Sequence, residues 1–122
     1  MSSIDRVMKK EKIIATICEL PNEAGPFIAA WQRLVMHVGR HQSDVAVLPE
    51  MPFAPWVAAF GDFDPAVWSN AVALHDEWLY RLTGPGRATV LGSRPVTKDG
   101  RRLNEAFAWQ VERGYQATHY KY

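Results

Sequence analysis

Glu50 is the residue best placed for chemistry, because it follows an uninterrupted apolar run, Val45-Ala46-Val47-Leu48, closed by Pro49. Ligands in α/β sheets gather at the carboxyl ends of strands, where such a residue would stand. A carboxylate hemmed by Leu48, Pro49, Met51, Pro52, Phe53 and Trp56 would lose hydration, which favours its neutral form and suits it to act as a general base. The plainer alternative is a loop carboxylate facing water, the usual state of Glu and Asp. Composition leaves both open.

The other candidates are weaker. His37 and His41 stand four apart at helical spacing and could share a metal, but no third ligand is evident, and both are expected to be ordinary, partly exposed histidines. His75 and His119 lack a companion at ligand spacing and are read the same way. Cys18, the single cysteine, lies in an apolar run and is expected to be a small buried residue rather than an activated thiolate. One cysteine leaves no internal disulfide and no CxxC spacing, as suits a reducing compartment. Gly84-Pro85-Gly86 lacks the Lys-Ser or Lys-Thr of a phosphate loop, and Ser2, Ser3, Ser43, Ser69 and Ser93 lack a nucleophile elbow. Neither a metal nor a cofactor is expected.

These residues must be positioned by one domain. With 122 residues, 48% hydrophobic and 22% charged, the chain suits a single core, and its formal charge of +1 gives no field for holding nucleic acid or an anionic membrane. No apolar run approaches the length of a membrane span, and the N-terminus lacks the apolar stretch of a signal peptide, so a cytoplasmic location is expected. After a polar lead over 1–11, the run Ile13-Ile14-Ala15-Thr16-Ile17-Cys18 reads as a central strand covered on both faces. Phe27, Trp31, Leu34, Val35 and Val38 form one face of a helix that fades over 39–43. A buried strand over 45–48 follows, then a Pro- and aromatic-rich loop over 52–64. Asp64-Pro65 starts a second helix with Val67, Trp68, Ala71, Leu74, Trp78, Leu79 and Leu82 on its apolar face. Gly84-Pro85-Gly86 should supply its left-handed cap and its stop. Strands over 88–92 and 103–111, joined through a Lys98-Asp99-Gly100 turn, precede an Arg113-Gly114 turn and a last alternating strand over 115–122. The order is βαβαβββ in a mixed sheet, parallel at the start and antiparallel after the late hairpin.

In that setting Asp44-Val45-Ala46-Val47-Leu48-Pro49-Glu50-Met51-Pro52-Phe53 resembles the glutamate motif of the nitrilase superfamily, the carbon-nitrogen hydrolases. The strand with Ile13 to Cys18, the segment Val90-Leu91-Gly92-Ser93-Arg94 and Leu103-Asn104-Glu105-Ala106 are similar to the family's first strand, Gly-Ser region and Asn-containing strand. His119-Tyr120-Lys121-Tyr122 resembles the start of its lysine motif, in which Leu-Pro follows the lysine two residues later. The resemblance implies an α/β fold, the N-terminal part of a four-layer αββα sandwich occupying 12–122, with catalytic residues Glu, Lys and Cys in chain order. Glu50 would be the general base and Lys121 the cation that stabilises the transition state. The nucleophilic cysteine would lie downstream of Lys121, so Cys18 cannot take that role. The reading frame is then expected to continue through Leu-Pro to a cysteine after a short apolar strand.

By this resemblance the substrate is a small nitrile, amide or carbamoyl compound, with no nucleic acid or membrane partner. Half of a sandwich should leave a sheet face uncovered, expected to include Phe107 and Trp109, so the chain should form a homo-oligomer. The alternatives are a non-catalytic α/β binding module and a truncated chain that associates with a partner.

Overall fold

The computed structural model describes residues 12–21, 23–57 and 63–121. The polar lead over 1–11, Asn22, residues 58–62 of the Pro-rich loop and Tyr122 lie outside the described residues. The elements are β1 (Ala15–Ile17), α1 (Ala24–His41), β2 (Val45–Val47), α2 (Pro65–Trp78), a 3-10 turn (Leu79–Thr83), β3 (Thr89–Lys98), β4 (Arg101–Gln110) and β5 (Gly114–Lys121). They form a mixed α/β fold. A five-stranded sheet runs in the order β1-β2-β3-β4-β5, with the first three strands parallel and the last three antiparallel, in agreement with the βαβαβββ reading.

Local chemistry accounts for most boundaries. The Asp64 carboxylate accepts from Ala66 N at 2.8 Å, which caps α2 ahead of Pro65 at the first helical position. Gln42, at φ 51°, closes α1 in the left-handed region. Asp99 and Gly100, at φ 53° and 73°, form a two-residue hairpin turn whose twist matches the strands it joins. The buried Asp44 accepts from Ile14 N at 3.0 Å, and Thr16 Oγ1 meets Ser43 Oγ at 2.6 Å, so the starts of β1 and β2 are tied by side chains as well as by the ladder.

Directly paired residues share a sheet face, and faces alternate along each strand. Thr16, Ala46, Val90 and Trp109 therefore share one face, which Gly92 and Phe107, Arg94 and Glu105, and Val96 and Leu103 continue. Both helices pack on this face. Phe27, Trp31, Leu34 and Val38 of α1 form one core with Leu82, Ala46, Val90 and Phe107, and Phe27 lies 5.1 Å from Trp78 between ring centres. The opposite face carries Ile17, Val47, Leu91 and Ala108, then Ser93, Ala106 and His119, then Pro95, Asn104 and Lys121. Ile17 is 79% exposed and Leu91 39%.

Several expectations need correction. The run over 13–18 is an edge strand, not a central one, and Ile13, Ile14 and Ile17 are exposed, because nothing among the described residues covers its second face. Phe107 is buried against the helices rather than on the open face, and Trp109 packs against the same core. The parity of β4 fixes this: the open face takes Asn104, Ala106 and Ala108 instead. Val111 lies beyond β4 and is exposed. The second helix tightens into a 3-10 turn after Trp78, and the left-handed residue is Gly86 at φ 64°, whereas Gly84 is right-handed at φ −57°. A Cβ at Gly84 would meet Val35 at 3.0 Å, so that glycine serves close packing against α1.

Candidate functional site

The chain leaves β2 alongside β3, with Leu48 N donating to Leu91 O at 2.9 Å, and then turns sharply. Met51 holds the turn at φ 45°, in the left-handed region that a branched or long side chain rarely adopts. Two flanking bonds over-determine it. Met51 N donates to Ser93 Oγ of β3 at 3.1 Å, and Phe53 N donates to His75 Nε2 of α2 at 3.1 Å. Met51 and Phe53 are both buried, so the turn is clamped between the sheet and the helix layer.

Glu50 projects from this turn and is exposed. Its Oε1 accepts from Asn104 Nδ2 of β4 at 2.7 Å. Asn104 is paired in register with Lys121 of β5, so the two side chains leave the same sheet face from adjacent strands, with Cα atoms about 4.5–5.5 Å apart. Lys121 is exposed. The structure thus brings the Glu50 carboxylate onto Asn104, whose register partner on the next strand is Lys121, near the carboxyl end of β2 and on the face away from the helices. The apolar hem expected around Glu50 is not formed: Phe53 turns into the helix-side core, 5.8 Å from Phe27 and 5.7 Å from Trp31 between ring centres.

His75 is fully buried, in contrast to the partly exposed residue expected. Its Nδ1 donates to Ala71 O at 2.8 Å, which leaves Nε2 as the acceptor for Phe53 N. Burial holds its pKa below the usual histidine range, against the opposing pull of the Ala71 carbonyl. The neutral ring is therefore a structural acceptor for the turn that carries Glu50. Its position was readable from spacing, since Ala71, His75, Trp78 and Leu82 fall at offsets 0, 4, 7 and 11.

The remaining candidates do not join the site. Cys18 is half-buried just past β1, with Sγ 3.6 Å from Val47 O, and burial pushes its thiol up from the ordinary value, which disfavours a thiolate. His37 and His41 are exposed neighbours on α1, 4.2 Å apart between ring centres. Among the described residues no group of three or more His, Cys, Asp and Glu side chains could hold a metal ion. His119 is exposed on β5.

A second polar cluster, absent from the sequence reading, lies on the helix-bearing face. Arg94 Nε donates to Tyr115 Oη at 2.9 Å, and Arg94 Nη1 meets Asp76 of α2 at 2.6 Å. The Tyr115 hydroxyl donates to the buried Glu105 carboxylate in a short bond. Burial, and then this bond, push the Tyr115 phenol well above its ordinary value, so it stays protonated and donating. The cluster ties β3, β4, β5 and α2 together and faces away from Glu50.

No described helix is long and apolar enough to cross a membrane. No family model, curated protein or solved structure matches the chain.

Proposed function

We propose that this chain is the N-terminal portion of a carbon-nitrogen hydrolase domain of the nitrilase type, with Glu50 as general base and Lys121 as the cation that stabilises the transition state. The observation that carries the reading is the convergence of Glu50, Asn104 and Lys121 on one end of one sheet face. They come from three segments that separately resemble that family's glutamate, asparagine and lysine motifs. The open face with Ile17 and Leu91 supports the four-layer αββα form, because a second sheet laid on it would bury these side chains and enclose the exposed Glu50.

The chemistry follows from what each group can do. A cysteine thiol from outside this chain would give its proton to the Glu50 carboxylate, and the thiolate would attack the amide carbon, forming a C–S bond as the carbonyl π pair moves to oxygen. Lys121 would hold the resulting oxyanion in a site from which water is excluded. The proton on Glu50 would pass to the nitrogen as the C–N bond breaks, releasing ammonia or an amine and leaving a thioester. Glu50 would then take a proton from water as the water oxygen attacks the thioester carbon, and the C–S bond would break with the proton on Glu50 passing to the sulfur, which releases the acid and restores the thiol and the carboxylate. The sum is amide plus water giving acid plus ammonia or amine.

The test is ammonia release from a panel of amides and nitriles. The 122-residue chain should release none, because neither Glu50 nor Lys121 replaces a nucleophile. Turnover by this chain that survives Cys18→Ala would overturn the assignment. The exposure of Ile17 and Leu91 also favours a second reading, in which the chain associates through this sheet face without catalysing a reaction. A reading frame that ends after Tyr122 would favour that reading.

A further inference from the structure

The amide of Asn104 is half used. Its Nδ2 donates to Glu50 Oε1 at 2.7 Å, while its Oδ1 is buried with no hydrogen-bond partner among the described residues. The orientation is fixed by chemistry, because a carboxylate only accepts and the NH2 end must face Glu50. A buried carbonyl oxygen without a donor has given up its hydration with nothing in exchange, so such atoms call for a partner. Lys121 is the register partner of Asn104 on the same face, and its ammonium carries three donors and no acceptor.

We infer that Asn104 is a positioning residue that bridges the two charged groups: Nδ2 holds the Glu50 carboxylate, and the exposed Lys121 side chain, which in this structure stands off Oδ1, turns its ammonium onto that oxygen. Only a neutral group that donates and accepts at once can do this. An aspartate would repel Glu50, and a leucine would hold neither group. The bridge spaces the charges so that they do not collapse into a direct ion pair, and it occupies one oxygen of Glu50 while leaving Oε2 for a proton. Its use in catalysis rests on the hydrolase reading above, but the bridge itself does not.

The test is the NMR signature of the Asn104 side chain in the isotopically labelled 122-residue chain. Glu50→Ala should move one Hδ2 resonance upfield. Lys121→Met should move the Asn104 13Cγ resonance upfield through loss of the donor to Oδ1, and Lys121→Arg, which keeps a donor, should restore it towards wild type. A 13Cγ resonance unchanged in Lys121→Met would overturn the bridge, as would an Hδ2 resonance insensitive to Glu50→Ala. Lys121 and Glu50 are both exposed, so these variants keep the fold, which the backbone amide spectrum verifies. No turnover is measured, so a failed bridge leaves the hydrolase reading standing, and an absence of hydrolysis leaves the bridge standing.

Discussion

Replacing His75 with leucine should destabilise the fold and remove a defined part of its pH dependence. The substitution keeps an apolar side chain in a fully buried site but deletes the acceptor of the Phe53 N–H and the ring that lies 5.4 Å from Phe53. An orphaned buried donor costs about 1–3 kcal/mol and the lost ring contact about 0.5–1.5 kcal/mol, so the expected loss is about 1.5–4.5 kcal/mol. The pH effect has a fixed sign. Burial lowers the folded-state pKa of His75 below the ordinary value of 6.5, so between those two values the unfolded chain binds the extra proton. The stabilisation is fully present above the ordinary value and is lost as pH falls through the window below it, at up to about 1.4 kcal/mol per pH unit. His75→Leu should lack this slope. His37, His41 and His119 remain in both proteins and cancel in the comparison. Urea unfolding of both proteins from about pH 8 to about pH 5 reads the difference directly. Parallel stability curves, or a variant as stable as wild type, would refute the assignment of His75 as a neutral acceptor holding the Glu50 turn.

Gly92→Ala should cost about 1–3 kcal/mol by overpacking, because the new Cβ would lie 2.8 Å from Phe107 Cζ and 3.4 Å from Leu48 Cδ1, both in the core. A urea midpoint equal to wild type would show that Phe107 yields freely. The open sheet face should make the isolated chain self-associate, with an apparent mass by light scattering that rises with concentration and falls in Leu91→Lys. A monodisperse monomer would show that the five-stranded sheet is stable with one face in water.

Elements whose signals are local were readable from sequence. The Asp64-Pro65 start, the Asp99-Gly100 hairpin and the α1 stripe from Phe27 to Val38 each follow from residues within one or two turns of one another. Burial that depends on partners far along the chain was less readable. The apolar run over 13–18 has the composition of a doubly covered strand, yet the described elements cover one face only, which leaves Ile17 in water. The face taken by Phe107 depends on the register set by the Asp99-Gly100 turn, and a parity error there moves every β4 side chain to the other face. At the site, Glu50 and Lys121 were marked by resemblance and Glu50 also by its place after an apolar strand. Asn104 falls within Leu103-Asn104-Glu105-Ala106, but its contact with Glu50 depends on β4 standing between the Glu50 turn and β5, which no local signal reveals.

Glu50 is proposed above as the proton acceptor of a thiol-dependent hydrolysis. This role is tested most directly by measuring ammonia release in the product of the reading frame that also supplies the thiol, comparing wild type with Glu50→Gln. Gln is nearly isosteric and can still pair with Asn104 through its carbonyl oxygen, but it cannot take the thiol proton, so turnover should fall by orders of magnitude with the fold retained. Wild-type rates in Glu50→Gln would rule out Glu50 as the proton acceptor.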